Sequence, residues 1–244
     1  MKSLSSAELL DIWERGSSQS SIQRALSLLS ATCPEVSAEQ IVNLSIGQRD
    51  GLLLTLREQM FGSQLVSLAV CPGCGDRLEL TFSVSDIRTE PVIELASILV
   101  ARIGGYEVQY RLPNSLDLGE VSGQIDVMVM RQQLLSRCLI SVHYGDKTLE
   151  TNELPTEIVS TVLKEMAKAD PQADVQLALS CPTCNNQWQA TFDVVSFFWT
   201  EIHAWARRLL QEVHTLASAY SWREADILDM SPQRRQLYLE MISG

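Results

Sequence analysis

Two short stretches, CPGCG at residues 71–75 and CPTCN at 181–185, restrict this chain more than any other feature. Each places two cysteines on a tight turn. Laid over one another at a constant offset, Cys71, Pro72 and Cys74 fall on Cys181, Pro182 and Cys184. Further on, Thr81, Phe82 and Val84 fall on Thr191, Phe192 and Val194. Leu78, Leu80, Phe82 and Val84 alternate onto one face, as do Trp188, Ala190, Phe192 and Val194, which is the period of a half-buried strand. The same unit therefore occurs twice: strand, CPxC turn, strand. Two such turns facing each other make a zinc ribbon, in which four thiolates about 2.3 Å from Zn²⁺ close a tetrahedron. Four cysteines leave no open ligand position, so this zinc is structural, not catalytic. The competing reading is two independent β-turns with free thiols. Cys33 and Cys138 lack any partner spacing and read as a helix-end and a small core residue.

A long segment, residues 85–173, separates the two units and is large enough to be an α/β insertion. Metal would tie its ends together. The entropy of closing such a loop grows only logarithmically with length, whereas structural zinc is worth roughly 10–16 kcal/mol of apparent binding free energy in small peptides. The fold class expected is α+β: a four-cysteine zinc ribbon with a long α/β insertion between its knuckles, a helical N-terminal region and a helical C-terminal extension. The corresponding divisions are 1–62, 63–195 and 196–244.

Local signals support the helical parts. Ser6 is placed to cap AELLDIWER, with Gly16 as its stop, and Ser37/Gln40 and Ser45/Gln48 have capping-box spacing. IGQRDGLLLTLREQMF reads as an apolar helix ended by Gly62, and LPTEIVSTVLKEMAKA as another with Pro155 at its start. Ser221 to Glu224 has capping-box spacing, and Ser231-Pro232 sets a cap and a first-turn proline before QRRQLYLEMI. Strands are expected at QLVSLAV, RLELTFSV, YEVQYRL, VQLALS and QWQATFDV.

Charge and motif content narrow the function. The chain has a net charge of −11, and nucleic-acid binding needs clustered Lys and Arg to displace counterions. The only tight basic pairs are Arg207-Arg208 and Arg234-Arg235, so a zinc-ribbon regulator or nucleic-acid binder is a weaker alternative. No nucleophile elbow, zincin, P-loop or dinucleotide fingerprint is present, and no small-molecule substrate is expected. His203 and His214 share a helix face about 16 Å apart, too far to hold one ion. MKSLSSAELLD does not read as a signal peptide, and the runs VIELASILVA and GLLLTL are too short to span a bilayer. Synthesis in a reducing cytosol, where paired CxxC favours metal over disulfide, is expected.

The C-terminal segment carries more apolar side chains than two short helices can bury. Trp205, Trp222, Leu228, Tyr238 and Leu239 are the candidate anchors for a partner, because large rigid side chains dominate interface energetics. Packing onto the body of the protein is the alternative fate of the same stripe.

LSIGQRDGLLLTLREQMFGSQLVSLAVCPGCGDRLELTFSVSDI resembles the small T4-like phage baseplate proteins: an apolar helix with an Arg-Asp start, an LR…FG end, then strand and CPxCG. YRLPNSLDL followed by LLSRCL resembles the next block of such proteins. YSWREADILDMSPQRRQLYLEMI is similar to a C-terminal motif of baseplate and tail proteins in contractile phages and phage-like injection systems. These blocks run from about residue 44 to residue 242, and residues 1–43 carry no such signal. The resemblance implies a structural, non-enzymatic baseplate subunit. It implies other tail subunits as partners in a symmetric assembly and residence in a tail or injection particle. It equally admits a tail-assembly chaperone absent from the finished particle.

Overall fold

The computed structural model describes residues 1–89, 98–150 and 153–243. In chain order the elements are α1 (Ser6–Gly16), α2 (Ser21–Thr32), α3 (Ala38–Asn43), α4 (Ile46–Phe61), β1 (Gln64–Val70), β2 (Arg77–Ser83), α5 (Val84–Ile87), β3 (Leu99–Ile103) and β4 (Tyr106–Tyr110). They continue with α6 (Ser115–Val121), α7 (Val127–Cys138), β5 (Leu139–Tyr144), β6 (Lys147–Thr148), α8 (Thr156–Ala169), β7 (Gln176–Ser180), β8 (Gln187–Thr191), α9 (Val194–Tyr220), α10 (Glu224–Leu228) and α11 (Pro232–Ser243). The fold is α+β. Two compact units follow space rather than chain order: residues 1–35 with 194–244, and residues 36–193.

The first unit is helical. Leu10 of α1, Ala206, Leu209, Val213 and Leu216 of α9, and Ile227 of α10 form its core. The cap of α1 is Ser5, not Ser6: Ser5 accepts from the Glu8 N–H while Glu8 accepts from the Ser5 N–H, the S-x-x-E pattern one residue earlier. Gly16 does more than stop the helix. A Cβ there would lie 2.1 Å from the indole of Trp199, so glycine lets α9 approach. Arg24 covers the same indole at 4.7 Å. At the other end Ser231 caps α11 by accepting from the Arg234 N–H. The box expected from Ser221 to Glu224 does not form. Tyr220 and Trp222 stack at 4.5 Å, with Tyr238 edge-on to Trp222 at 4.8 Å. In this arrangement Ser221 is the turn residue, at φ 55°. Helix α10 begins after Arg223, whose guanidinium grips Asp226 at 3.0 and 3.1 Å.

Among its described residues the second unit carries three antiparallel sheets: β1–β2, β3–β4–β5–β6 and β7–β8. The capping boxes of Ser37 with Gln40 and Ser45 with Gln48 start α3 and α4. Helix α4 buries Leu53, Leu54 and Leu56 together with Arg49, Asp50 and Arg57. Arg57 donates to the carbonyls of Gly62 (2.6 Å) and Gln64 (2.7 Å), fastening the end of α4 to the start of β1. Gly62, at φ 86°, makes that turn. Between the hairpins, the four-stranded sheet packs Val108, Tyr110 and Val142 against Leu135 and Cys138 of α7 and Ile158, Val162 and Met166 of α8. Residues 92–97 of the apolar run VIELASILVA lie outside the described residues; its end enters β3.

Three of the quoted sequence blocks meet in this unit. Asp117 accepts from Arg111 (2.8 Å to Nη2, with a second bond to Nη1) and from Arg137 Nε (3.0 Å). It also completes the capping box of Asn114. Asn114 in turn donates to Asn43 at 3.2 Å and bridges Ser45. Burial works against the Asp117 charge, but the guanidinium of Arg111, the Asn114 N–H and Arg137 outweigh it and hold the carboxyl below its ordinary range.

Candidate metal centre

The two hairpins have one register at one offset. Val66 pairs with Thr81 and Val70 with Arg77; Gln176 pairs with Thr191 and Ser180 with Gln187. The turns repeat as closely. The N–H of Cys71 donates to the Asp76 carbonyl and that of Gly75 to the Cys71 carbonyl, both at 2.9 Å. The N–H of Cys181 donates to Asn186 and that of Asn185 to Cys181, again at 2.9 Å. The fifth residue of each turn is left-handed: Gly75 at φ 78° and Asn185 at φ 57°. This is why CPGC is followed by Gly and CPTC by Asn, the residues that reach that conformation at least cost.

Facing each other, the turns gather all four thiols. Cys71 Sγ lies 3.6 Å from Cys184 Sγ, and Cys74 Sγ 3.6 Å from Cys181 Sγ. All four sulfurs lie within 4.8 Å of one another. None is in a disulfide. A regular tetrahedron of sulfurs about 2.3 Å from a metal has edges of about 3.8 Å, so the observed separations fit one ion. Cys71 and Cys181 are buried, while Cys74 and Cys184 are exposed. The turns also hold one another directly. Thr183 donates to Asp76, and a Cβ on Gly73 would meet Asn186 at 3.2 Å. Below the turns the equivalent Phe82 and Phe192 meet edge to face at 5.5 Å.

The thiols do not share protons evenly. Burial opposes a thiolate at Cys71, but N–H groups of Cys74 and Gly73 outweigh it and bring the thiol down to about 7. At Cys74 an N–H from Asp76 favours the anion, yet Cys184, burial, Cys181 and Cys71 push it up to about 12. Cys184 is likewise raised: crowding and burial exceed the help of the Asn186 N–H and Cys74. A cation held among the four sulfurs would favour the thiolate form at all of them.

The remaining candidates lie elsewhere. Cys33 and Cys138 are buried, and burial lifts the Cys138 thiol to about 11. His203 accepts from the Trp13 indole at 3.1 Å. Trp205, Trp222, Leu228, Tyr238 and Leu239 are half-buried against the helical core of the first unit. The apolar side chains of that segment most open to solvent are instead Leu237, Met241 and Ile242. The apolar start of α7 is also exposed. Its signal was the unbroken VMVM at 127–130, since four consecutive side chains cannot share one buried helix face.

An α+β chain that builds one four-cysteine cluster from two hairpins defines a class, not yet a family. The family described as T4 bacteriophage base plate protein matches residues 4–199, and the chain belongs to that family. The match takes in the N-terminal helices, for which the sequence blocks gave no signal, and stops before the C-terminal motif. Neither the curated proteins nor the solved structures searched contain a match. Among the described residues no helix is long and apolar enough to cross a membrane.

Proposed function

We propose that this chain is a structural, non-enzymatic baseplate subunit of a contractile phage tail or phage-like injection system. Its residues Cys71, Cys74, Cys181 and Cys184 bind one structural zinc ion. In this reading residues 63–195 form a metal-closed body and residues 196–244 a docking extension. Trp205, Trp222, Leu228, Tyr238 and Leu239, half-buried on the helical core, would turn their remaining apolar surface toward neighbouring tail subunits. Family membership carries the assembly role; the gathered sulfurs carry the metal. A tetrahedron filled by four cysteines has no position left for a substrate. The metal would neutralise the crowded thiolates and close the insertion, with no part in a reaction.

The test has two parts. Purified protein should contain one zinc per chain by elemental analysis. Iron, with its visible thiolate absorbance, would replace zinc in the proposal, and no metal would remove it. Native particles should carry the chain at fixed stoichiometry, and a chain lacking residues 221–244 should keep a folded, metal-loaded second unit and fail to enter them. Normal entry of the truncated chain would sink the docking role.

A further inference from the structure

Two apolar surfaces stand exposed among the described residues of this one chain. The first lies in the second unit, where α7 and α8 enclose an open groove of about 790 Å³. Met128, Val129 and Leu135 line one side, and Leu154, Val159 and Leu163 the other. Its apolar surface runs on past the start of α7, where Ile125 is 98% and Val127 71% exposed; Met128 is 72% exposed. Arg131 sits on the groove wall. Among the described residues it has no ion-pair partner, on a chain with net charge −11. The second surface is the outer face of α11. Leu237 and Met241 are 52% and 69% exposed at i and i+4, with Ile242 beside them. Glu240 stands between them, and among the described residues its hydrogen-bond partner is Gln236 of its own helix.

These halves match in form and in sign. A helix that offers apolar side chains at i and i+4 fits an apolar groove between two helices. Helices α7 and α11 have 12 residues each, about 18 Å. The one carboxylate on the α11 stripe has the cation that the groove offers. We infer that α11 of one copy of this protein lies in the α7–α8 groove of a second copy. Leu237 and Met241 enter against Met128, Val159 and Leu163, and Glu240 meets Arg131. The contact joins two different patches, so a pair of copies keeps one free groove on one member and one free α11 on the other. Such head-to-tail contacts propagate, and they close into a ring when the rotation allows. The inference rests on the reading that the C-terminal helices dock, and it names their partner.

The experiment uses the full-length, metal-loaded chain in sedimentation velocity over a concentration series. The wild-type chain should self-associate. Met128→Asp and Met241→Asp change exposed side chains, so circular dichroism and metal content should stay constant. Each should weaken association about tenfold or more. Mixed together they should form heterodimers and stop there, because each retains one intact half. Arg131→Glu should weaken association, and a partner carrying Glu240→Arg should recover it. Association of Met128→Asp at wild-type strength would overturn the inference, as would a wild-type chain that stays monomeric. A monomeric wild type whose 221–244 truncation is still excluded from particles would leave docking standing and give α11 another tail subunit as its seat. If the truncated chain also enters particles, both fall.

Discussion

The hairpins β1–β2 and β7–β8 share register, turn hydrogen bonds and left-handed fifth residue, yet they present opposite characters to solvent. At the positions where the first exposes Val66, Leu68 and Val70, the second has Gln176, Ala178 and Ser180. The repeated part is the part that positions sulfur. The difference in exposed apolar area lies on the outward face of the first strand, which contributes nothing to the turn. The geometry of the sulfur cluster and the surface chemistry of its supports should therefore be separable.

The comparison can be broken most severely at the cysteines. Cys71→Ser and Cys181→Ser occupy equivalent buried positions. Each should abolish stoichiometric metal and remove several kcal/mol of stability, since binding free energy at such sites is folding free energy. Calorimetry and elemental analysis check this; a large effect at one position only would show that the turns are not equivalent. Chelation of the wild-type protein should produce the same melting profile as either variant.

A smaller effect is expected at the aromatic pair. Phe192 is buried and Phe82 half-buried, so Phe192→Ala should cost about 3–5 kcal/mol and Phe82→Ala less, measured by denaturant unfolding. The left-handed residues sharpen the comparison further. Gly75→Ala should cost about 1–2 kcal/mol, because a Cβ opposes that conformation. Asn185→Gly should be neutral or slightly stabilising, since the same position then loses its only strain. The smallest change concerns the outer face. Val66→Thr, Leu68→Gln and Val70→Thr together should leave metal content intact and shift stability by no more than about 0.5 kcal/mol per site. A collapse of the fold would mean that the stripe supports the hairpin after all.

Much of this site was readable in the residues themselves. The paired CPxC turns, their alternating flanks and the Gly or Asn behind them are local features, and local features fix hairpins. The caps at Ser37, Ser45 and Ser231 were readable for the same reason. What escaped depends on non-local partners. Strand β5 follows α7 with no glycine or proline between Cys138 and Leu139, so nothing in the sequence punctuates the change. Asp117 reveals its importance only when Arg111 and Arg137 arrive from other elements. Helix α4 buries Arg49, Asp50 and Arg57 beside its leucines, so an amphipathic reading cannot orient it. QLVSLAV is apolar on both faces, and composition alone could not say that one of them stays wet. The misplaced cap at Ser221 has a related cause: the stack of Tyr220, Trp222 and Tyr238 joins residues whose distance in sequence hides their contact.

The long separation of the two turns also sets a clock on biogenesis. Cys74 and Cys181 are 107 residues apart. At about 5–20 residues per second, a ribosome would hold the first pair of thiols without its counterpart for about 5–20 s. During that interval the earlier hairpin carries exposed nucleophiles and a naked apolar strand, which is when oxidation or capture by a wrong neighbour is easiest. In the metal-bound reading, maturation of this protein should therefore be sensitive to translation speed and to the supply of free metal as the second turn emerges.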